Sequence, residues 1–403
     1  MTDHSLPVLH PVSGVRLGST AAGIRYPGRR DLVVMEFPEG STCAGVFTKN
    51  AFCAAPVVLA KQHLHDCSPA YFLINSGNAN AGMGDQGLGD ARLCCQQLAD
   101  HAGCAPARVL PFSTGVIGEP LPVAVIREGI PAAFSALDED GWADAASAIL
   151  TTDTVAKGAS RLVDIEGHTV TVTGIAKGAG MIRPDMATML AFIATDAAVD
   201  RPVLQDWLEQ AVEGSFNRIT VDGDTSTNDS CMLVATGMSH LPRISATSPA
   251  GTLLAETIVS VCEDLAQAIV RDGEGATRFV TVEIRGGRDR EECLRVAYTI
   301  AHSPLVKTAI FAGDPNWGRI LAAVGRAGVD GLLVDRVSVD LDEVCIVRNG
   351  GRAADYTEEA GQRVMSRDEL TIRVDLGRGD AADRVWTCDL SHDYVRINAE
   401  YRT

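Results

Sequence analysis

The segment Lys177-Gly178-Ala179-Gly180-Met181-Ile182-Arg183-Pro184-Asp185-Met186-Ala187-Thr188-Met189-Leu190 sets a lysine, two glycines, a proline and a threonine in apolar surroundings. A threonine hydroxyl is a weak nucleophile at neutral pH and needs a base within hydrogen-bond reach. Its β-branch restricts χ1, so a hydroxyl aimed at a carbonyl loses little rotamer freedom when held there. Other segments offer chemistry less completely. Asp222-Gly223-Asp224-Thr225-Ser226-Thr227-Asn228-Asp229 begins like a calcium loop. Thr227 stands where that loop requires glycine and Leu233 where it requires a bidentate glutamate, so a hydrogen-bonded turn is expected. His63 and His65 have no carboxylate or cysteine at ligand spacing and read as surface histidines. Gly178-Ala179-Gly180 and Gly273-Glu274-Gly275 complete no phosphate-binding motif, and Glu274 would repel a phosphate. No metal site is expected.

Further blocks are Ala44-Gly45-Val46-Phe47-Thr48-Lys49-Asn50, residues 75–82, Ser113-Thr114-Gly115-Val116-Ile117-Gly118, Thr151-Thr152-Asp153-Thr154 and Ser215-Phe216-Asn217. Residues 222–229, 272–277 and 313–318 and the ending Arg396-Ile397-Asn398-Ala399-Glu400-Tyr401-Arg402-Thr403 complete nine collinear blocks. Together with the segment around Thr188 they resemble, along nearly the whole chain, the ornithine acetyltransferase family, also called bifunctional glutamate N-acetyltransferase. The chain departs from that pattern at Arg183 and Asp185, where the family commonly has histidine and asparagine.

The resemblance implies a backbone cut between Ala187 and Thr188, giving an α subunit of residues 1–187 and a β subunit of residues 188–403. Thr188 would then be the nucleophile, with its freed α-amine as base. An α-amine with a reference pKa of about 7.7 to 8.0 keeps a useful neutral fraction near pH 7, whereas the uncut amide nitrogen cannot serve. The family's oxyanion hole is similar to what the Thr114 hydroxyl and the Gly115 N–H would supply, and losing one such donor costs about 2.7 to 4 kcal/mol. By the same resemblance Thr154, Lys177, Thr188, Glu274, Asn398 and Thr403 contact substrate. Lys177 suits a carboxylate, Glu274 an ammonium, and Asn398 with Thr403 a tail folded over the bound amino acid. The implied reaction moves acetyl from N-acetylornithine to glutamate through an acetyl-threonine, giving ornithine and N-acetylglutamate. No cofactor is implied, although acetyl-CoA is a possible co-substrate, and αβ pairs would assemble into a heterotetramer or larger. Two other readings stay open: an N-terminal-threonine amidohydrolase or aminopeptidase in which water resolves the acyl-enzyme, and a non-catalytic amino-acid-binding protein.

The elements that must position these residues alternate between strand and helix. Apolar runs at 71–74 and 109–112 read as strands, the first stopping at a glycine- and asparagine-rich loop over 75–82 and the second running into Ser113-Thr114-Gly115. Helical patterns cover 88–102, 123–137, 142–150 and 202–212, and the clearest stripe is Leu254, Ile258, Val261, Leu265 and Ile269. Beyond about 280 the pattern changes to alternating strands at Val280/Val282/Ile284, Val337/Val339/Leu341 and Leu370/Ile372/Val374. These patterns predict an α/β core over 1–280, which the resemblance makes catalytic, and a smaller α/β domain over 281–390, and the resemblance implies a tail over 391–403 returning to the active site. The resemblance makes the fold an α/β layered sandwich of mixed sheets covered by helices.

Composition agrees with such an enzyme. The 403 residues, 46% hydrophobic and 22% charged, exclude wholesale disorder, and 39 glycines with 5% aromatics suit an α/β protein with tight turns. A net charge of −17 disfavours nucleic acid and anionic membrane surfaces as partners. Eleven cysteines without a CxxC pair suggest neither a disulfide framework nor a zinc ribbon, and Cys94 and Cys95 read as core residues. With neither a signal-like start nor a spanning apolar run, a cytoplasmic location is expected.

Overall fold

The apolar runs are too short to be stable as isolated ribbons. In the computed structural model, which describes residues 6–183 and 189–400, they pair into three sheets distributed over two units. The first unit comprises 1–217 and 224–269, the second 218–223 and 270–403. The division therefore falls before the expected 280, at the end of the long apolar-striped helix. Residues 218–223 join the second unit because the Thr220 N–H donates to the Trp386 carbonyl at 2.9 Å and Ile219 bridges to Trp386.

In chain order the first unit contains β1 (Arg16–Thr20), β2 (Leu32–Glu36), β3 (Thr42–Phe47), α1 (Ala55–Asp66), β4 (Tyr71–Asn78), α2 (Gly84–Ala102) and β5 (Val109–Val116). There follow α3 (Val123–Ser135), α4 (Trp142–Ala148), β6 (Lys157–Ile165), β7 (His168–Lys177), β8 (Leu190–Thr195), α5 (Arg201–Gly214), β9 (Ser230–Ala235) and α6 (Pro249–Arg271). One sheet runs β1-β2-β4-β5 and the other β3-β9-β8-β7-β6. Each is antiparallel except for one parallel pair, β4 with β5 and β8 with β9. Parallel neighbours need a long crossover, supplied by α2 in the first sheet and by α5 in the second.

The period of two along each strand divides the side chains between two layers. Val33, Met35, Phe72, Ile74, Leu110 and Phe112 face inward with Ile175, Leu190, Phe192, Ala194, Met232 and Val234 of the other sheet. Phe72 is the hub, with its ring centroid 4.7 Å from Phe37, 5.1 Å from Phe112 and 5.9 Å from Phe192. The alternate residues Leu32, Val34, Leu73 and Val109 pack outward against α1, α2 and α3, with Cys94, Cys95 and Leu98 among their partners. Burial pushes the Cys94 thiol up to about 12, as expected of a core cysteine. His63 corrects the surface reading: it is buried on α1 and its Nδ1–H donates to the Val109 carbonyl at 2.7 Å. The second sheet is covered by α6 closely enough that a Cβ on Gly174 would lie 3.1 Å from Leu265 and 3.3 Å from Val261. Helix, sheet, sheet and helix thus stack as the expected layered sandwich.

The second unit contains β10 (Phe279–Gly287), α7 (Arg290–Ala301), α8 (Pro304–Ala312), α9 (Trp317–Gly325), β11 (Ser338–Leu341) and β12 (Val344–Arg348). After these come β13 (Gly351–Arg352), α10 (Glu358–Met365), β14 (Glu369–Asp375), β15 (Ala381–Cys388) and α11 (His392–Ala399). Its sheet runs β13-β12-β11-β14-β10-β15 with only β10 and β14 parallel. The alternating residues Val280, Val282, Ile284, Val339, Leu341, Ile372 and Val374 form its core with Val296, Ala297 and Ile300 of α7. Phe72→Ala should empty the hub between the first two sheets and lower unfolding free energy by about 3 to 5 kcal/mol. Urea titration should show a lower midpoint at unchanged slope.

Candidate active site

The two parallel strands of the first sheet run further than their apolar residues do. β4 continues from Ile74 through Asn78 and β5 from Phe112 through Val116, so residues expected to open a loop are paired strand. Gly115 makes the extension possible. It lies at φ +134° opposite Gly77, and a Cβ there would sit 2.3 Å from the Gly77 carbonyl carbon and 2.5 Å from the Asn78 nitrogen. The polar side chains are bonded inward: Ser113 Oγ donates to Asn75 Oδ1 at 2.6 Å, and Asn75 Nδ2 donates to the Asn78 carbonyl at 2.9 Å. Thr114 is buried, and its hydroxyl accepts a hydrogen bond from Lys177 Nζ at 3.2 Å. A hydroxyl that accepts from an ammonium keeps its own proton to donate elsewhere.

Lys177 ends β7, and the next residue is fixed by a carboxylate. Asp153 Oδ1 accepts from the Gly178 N–H at 2.6 Å and from Lys157 Nζ at 2.7 Å, and its Oδ2 accepts from the Thr151 N–H at 3.0 Å. The Asp153 and Lys157 side chains are 0% and 1% exposed. Burial alone would raise the Asp153 carboxyl, but the ammonium groups of Lys157 and Lys177 outweigh it and hold the group below the usual carboxylate range. The bonds tie the 151–154 turn, with exposed Thr154 at its end, to the end of β7. Sequence reasoning assigned no role to Asp153 or Lys157. The only available signal was a carboxylate and a lysine four apart across a turn, and neither residue type announces burial.

Residues 222–229 run through bends in which the Asn228 N–H donates to Ser226 Oγ at 3.0 Å, and their last two members reach both sheets. Asn228 Nδ2 donates to the Ala79 carbonyl at 2.6 Å and to the Ser113 carbonyl at 2.9 Å. Asp229 Oδ1 accepts from the Met189 N–H at 3.0 Å. Ala187 and Thr188, the expected cleavage pair, lie outside the described residues. Their neighbour Met189 and the register Lys177 opposite Leu190 place the flanks of that segment at the ends of β7 and β8. Thr114, Gly115, Lys177 and, through Asp153, Thr154 thus gather at one end of the first unit's sandwich. The group offers a hydroxyl, a glycine backbone and an ammonium, types suited to a developing oxyanion and a carboxylate.

In the second unit Glu274 and Asn398 meet directly, with Asn398 Nδ2 donating to Glu274 Oε2 at 2.7 Å and to the Tyr394 carbonyl at 3.0 Å. Ser391 caps α11 and its Oγ donates to the Gly275 carbonyl at 2.6 Å. Gly275, at φ +69°, permits this approach, since a Cβ there would lie 2.5 Å from the Tyr394 nitrogen. Asp389 holds the other side of the loop by accepting from the N–H groups of Thr277 at 2.7 Å and Arg278 at 3.0 Å. Thr403 lies outside the described residues. Among the described residues no group of three or more His, Cys, Asp or Glu is arranged to hold a metal ion, and no helix is long and apolar enough to cross a membrane.

Asp153→Ala would leave the Lys157 ammonium buried without its carboxylate, at a cost of about 3 to 5 kcal/mol. Because the folded carboxyl lies below its ordinary value, the stability it contributes is present above about pH 4 and is lost as pH falls through the folded value. Denaturant titrations of the parent should therefore lose stability on acidification below pH 4, and those of Asp153→Ala should lose less.

The ArgJ family profile matches residues 16–403. The chain is 59% identical over 399 residues to the arginine biosynthesis bifunctional protein ArgJ of Pseudomonas fluorescens, covering 99% of this chain and 98% of that one. It is 60% identical over 401 residues to the protein of the same description from Pseudomonas syringae pv. tomato, with the same coverage. Among solved structures, ArgJ of Bacillus halodurans is 38% identical and covers 51% of this chain and 96% of that chain, with a TM-score of 0.49. The ornithine acetyltransferase of Mycobacterium tuberculosis, solved with ornithine, is 30% identical and covers 43% of this chain and 92% of that chain, with a TM-score of 0.38. With the family profile matching from Arg16 to the last residue and relatives aligned along almost their whole length, the chain belongs to the ArgJ family.

Proposed function

We propose that the protein is an autoprocessed N-acetyltransferase of arginine biosynthesis that moves acetyl from N-acetylornithine to glutamate. The observation that carries this reading is the hydrogen bond at 3.2 Å that brings Lys177, at the end of β7, to Thr114 beside Gly115 on β5. In processing, Thr188 Oγ attacks the Ala187 carbonyl carbon, the peptide C–N bond breaks with a proton passing to nitrogen, and water hydrolyses the resulting ester. The freed α-amine then serves as base. In transfer it takes the hydroxyl proton as Oγ attacks the acetyl carbonyl of N-acetylornithine. The oxyanion is met by the Thr114 hydroxyl and the Gly115 N–H. The amide C–N bond breaks, ornithine leaves with the proton on its amine, and acetyl remains as a threonine ester. Glutamate's amine attacks that ester, the C–O bond breaks, and the hydroxyl regains its proton as N-acetylglutamate departs.

Lys177 holds the substrate carboxylate, Glu274 with Asn398 the ammonium, and Thr154 and Thr403 complete the contacts. The route requires no resident metal or cofactor. The relatives' description as bifunctional supports a second activity, and we assign to it acetyl-CoA as an alternative donor. The working form is a cytoplasmic αβ pair assembled into a heterotetramer or larger.

Intact-mass and N-terminal sequencing of the purified protein should find pieces of 187 and 216 residues, and Thr188→Ala should remain one uncut, inactive chain. A single intact parent chain, or a cut elsewhere, would remove the nucleophile. Because one amino-acid pocket serves both substrates in turn, double-reciprocal plots against N-acetylornithine and glutamate should be parallel. Intersecting plots would indicate direct transfer in a ternary complex. Release of acetate at an unchanged rate without glutamate would indicate a hydrolase.

A further inference from the structure

The proposed reaction leaves one buried carboxyl unexplained. Asp229 is 1% exposed, precedes β9, and is the residue whose side chain meets the backbone immediately after Thr188. The β8–β9 ladder starts with Leu190 opposite Ser230, so the Met189 N–H lies beyond it. Asp229 Oδ1 supplies the acceptor that the ladder does not, at 3.0 Å, while the Met189 carbonyl accepts from the Ser230 N–H at 3.1 Å. Both backbone polar groups of Met189 are therefore fixed. Asp229 is itself anchored, because its own carbonyl accepts from the Thr48 N–H at 3.0 Å and its neighbour Asn228 is bonded to Ala79 and Ser113.

A structural carboxylate normally has both oxygens satisfied. Here Oδ2 is buried with no hydrogen-bond partner among the described residues. Burial pushes the carboxyl well above its ordinary range, against the weaker pull of the Met189 N–H, the nearby Ser226 hydroxyl and the Lys177 ammonium. The group is thus a compact acceptor biased toward its neutral form, one residue from the reacting threonine.

We propose that Asp229 is a positioning residue for Thr188: by accepting the Met189 amide proton it fixes the peptide on the carboxyl side of the threonine, and with it the line along which the hydroxyl attacks. The proposal rests on the reading of Thr188 as nucleophile. It asks only for a hydrogen-bond acceptor of the right length facing the Met189 amide.

The test compares full-length chains for cleavage rate and stability. Asp229→Asn keeps a carbonyl oxygen at the same reach, whereas Asp229→Leu keeps the volume and Asp229→Ala removes it, both without an acceptor. Leu98→Ala, a truncation in the buried α2 core, controls for lost stability. Misplacing a reacting group by about 1 Å can cost about 100-fold, so the Leu and Ala variants should cleave about 100-fold more slowly than the parent and the Asn variant within about fivefold of it. Leu98→Ala should cleave like the parent. In whatever fraction matures, kcat per acetylatable threonine should fall in the Leu and Ala variants while KM for N-acetylornithine stays unchanged. Asp229→Asn as slow as Asp229→Leu would overturn the proposal, as would parental cleavage by either acceptor-free variant or equal slowing by Leu98→Ala. A parent chain uncut at Ala187–Thr188 would instead overturn the reading beneath it.

Discussion

The side chain of Asn228 sets how two sheets end relative to one another. Its amide group donates to the Ala79 and Ser113 carbonyls, which lie at the exit of β4 and within β5, while its backbone leads into β9 of the other sheet. Buried carbonyls without donors are costly, and two bonds from one planar amide fix distance and angle together. With this bond pair in place, Ser113 and therefore Thr114 and Gly115 stand at a fixed offset from Asp229 and Met189. Geometry on one sheet can then be matched to geometry on the other to within a fraction of an ångström, which an acyl-transfer site requires.

The aromatic hub of Phe72, Phe112 and Phe192 supplies the bulk attraction between the sheets but little directional information. Direction comes from the polar groups at the rim. Asp153 performs on β7 the task that Asn228 performs on β5, tying a turn to a strand end through one buried side chain. Lys177 lies between the two devices, bonded to Thr114 and charged against Asp153, so the ammonium is oriented from both sides. The sandwich is greasy in the middle and fully specified at one edge, and the candidate chemistry lies at that edge.

Much of the scaffold was legible because it is periodic. The α6 stripe from Leu254 to Ile269 and the alternation in β10, β11 and β14 are direct imprints of one buried face, and each element appears where its period requires. The extensions of β4 and β5 were not legible. Asn, Ser and Gly ordinarily mark a loop, and here they are strand because residues 75–78 and 113–116 pair with each other in parallel, a partner far along the chain that the local sequence does not show. His63 misled for the same reason, since its partner is a carbonyl on β5. Residues 218–223 join the second unit by pairing with Trp386, a contact without local trace. Thr114, Gly115 and Lys177 were named through family resemblance, whereas Asp153 and Asp229 lay inside quoted blocks without a role. What distinguishes those carboxyls is burial, which is a property of the fold and not of the residue type.

The central claim is that a threonine at the head of the second fragment carries the acetyl group between two amino acids. Rapid-quench mass spectrometry of the protein mixed with N-acetylornithine alone tests it most directly. The account predicts one added acetyl on the fragment that begins at Thr188, located on that residue by peptide sequencing and discharged when glutamate is supplied. An unmodified Thr188 during full turnover, or acetyl on another residue that glutamate discharges at the catalytic rate, would contradict it.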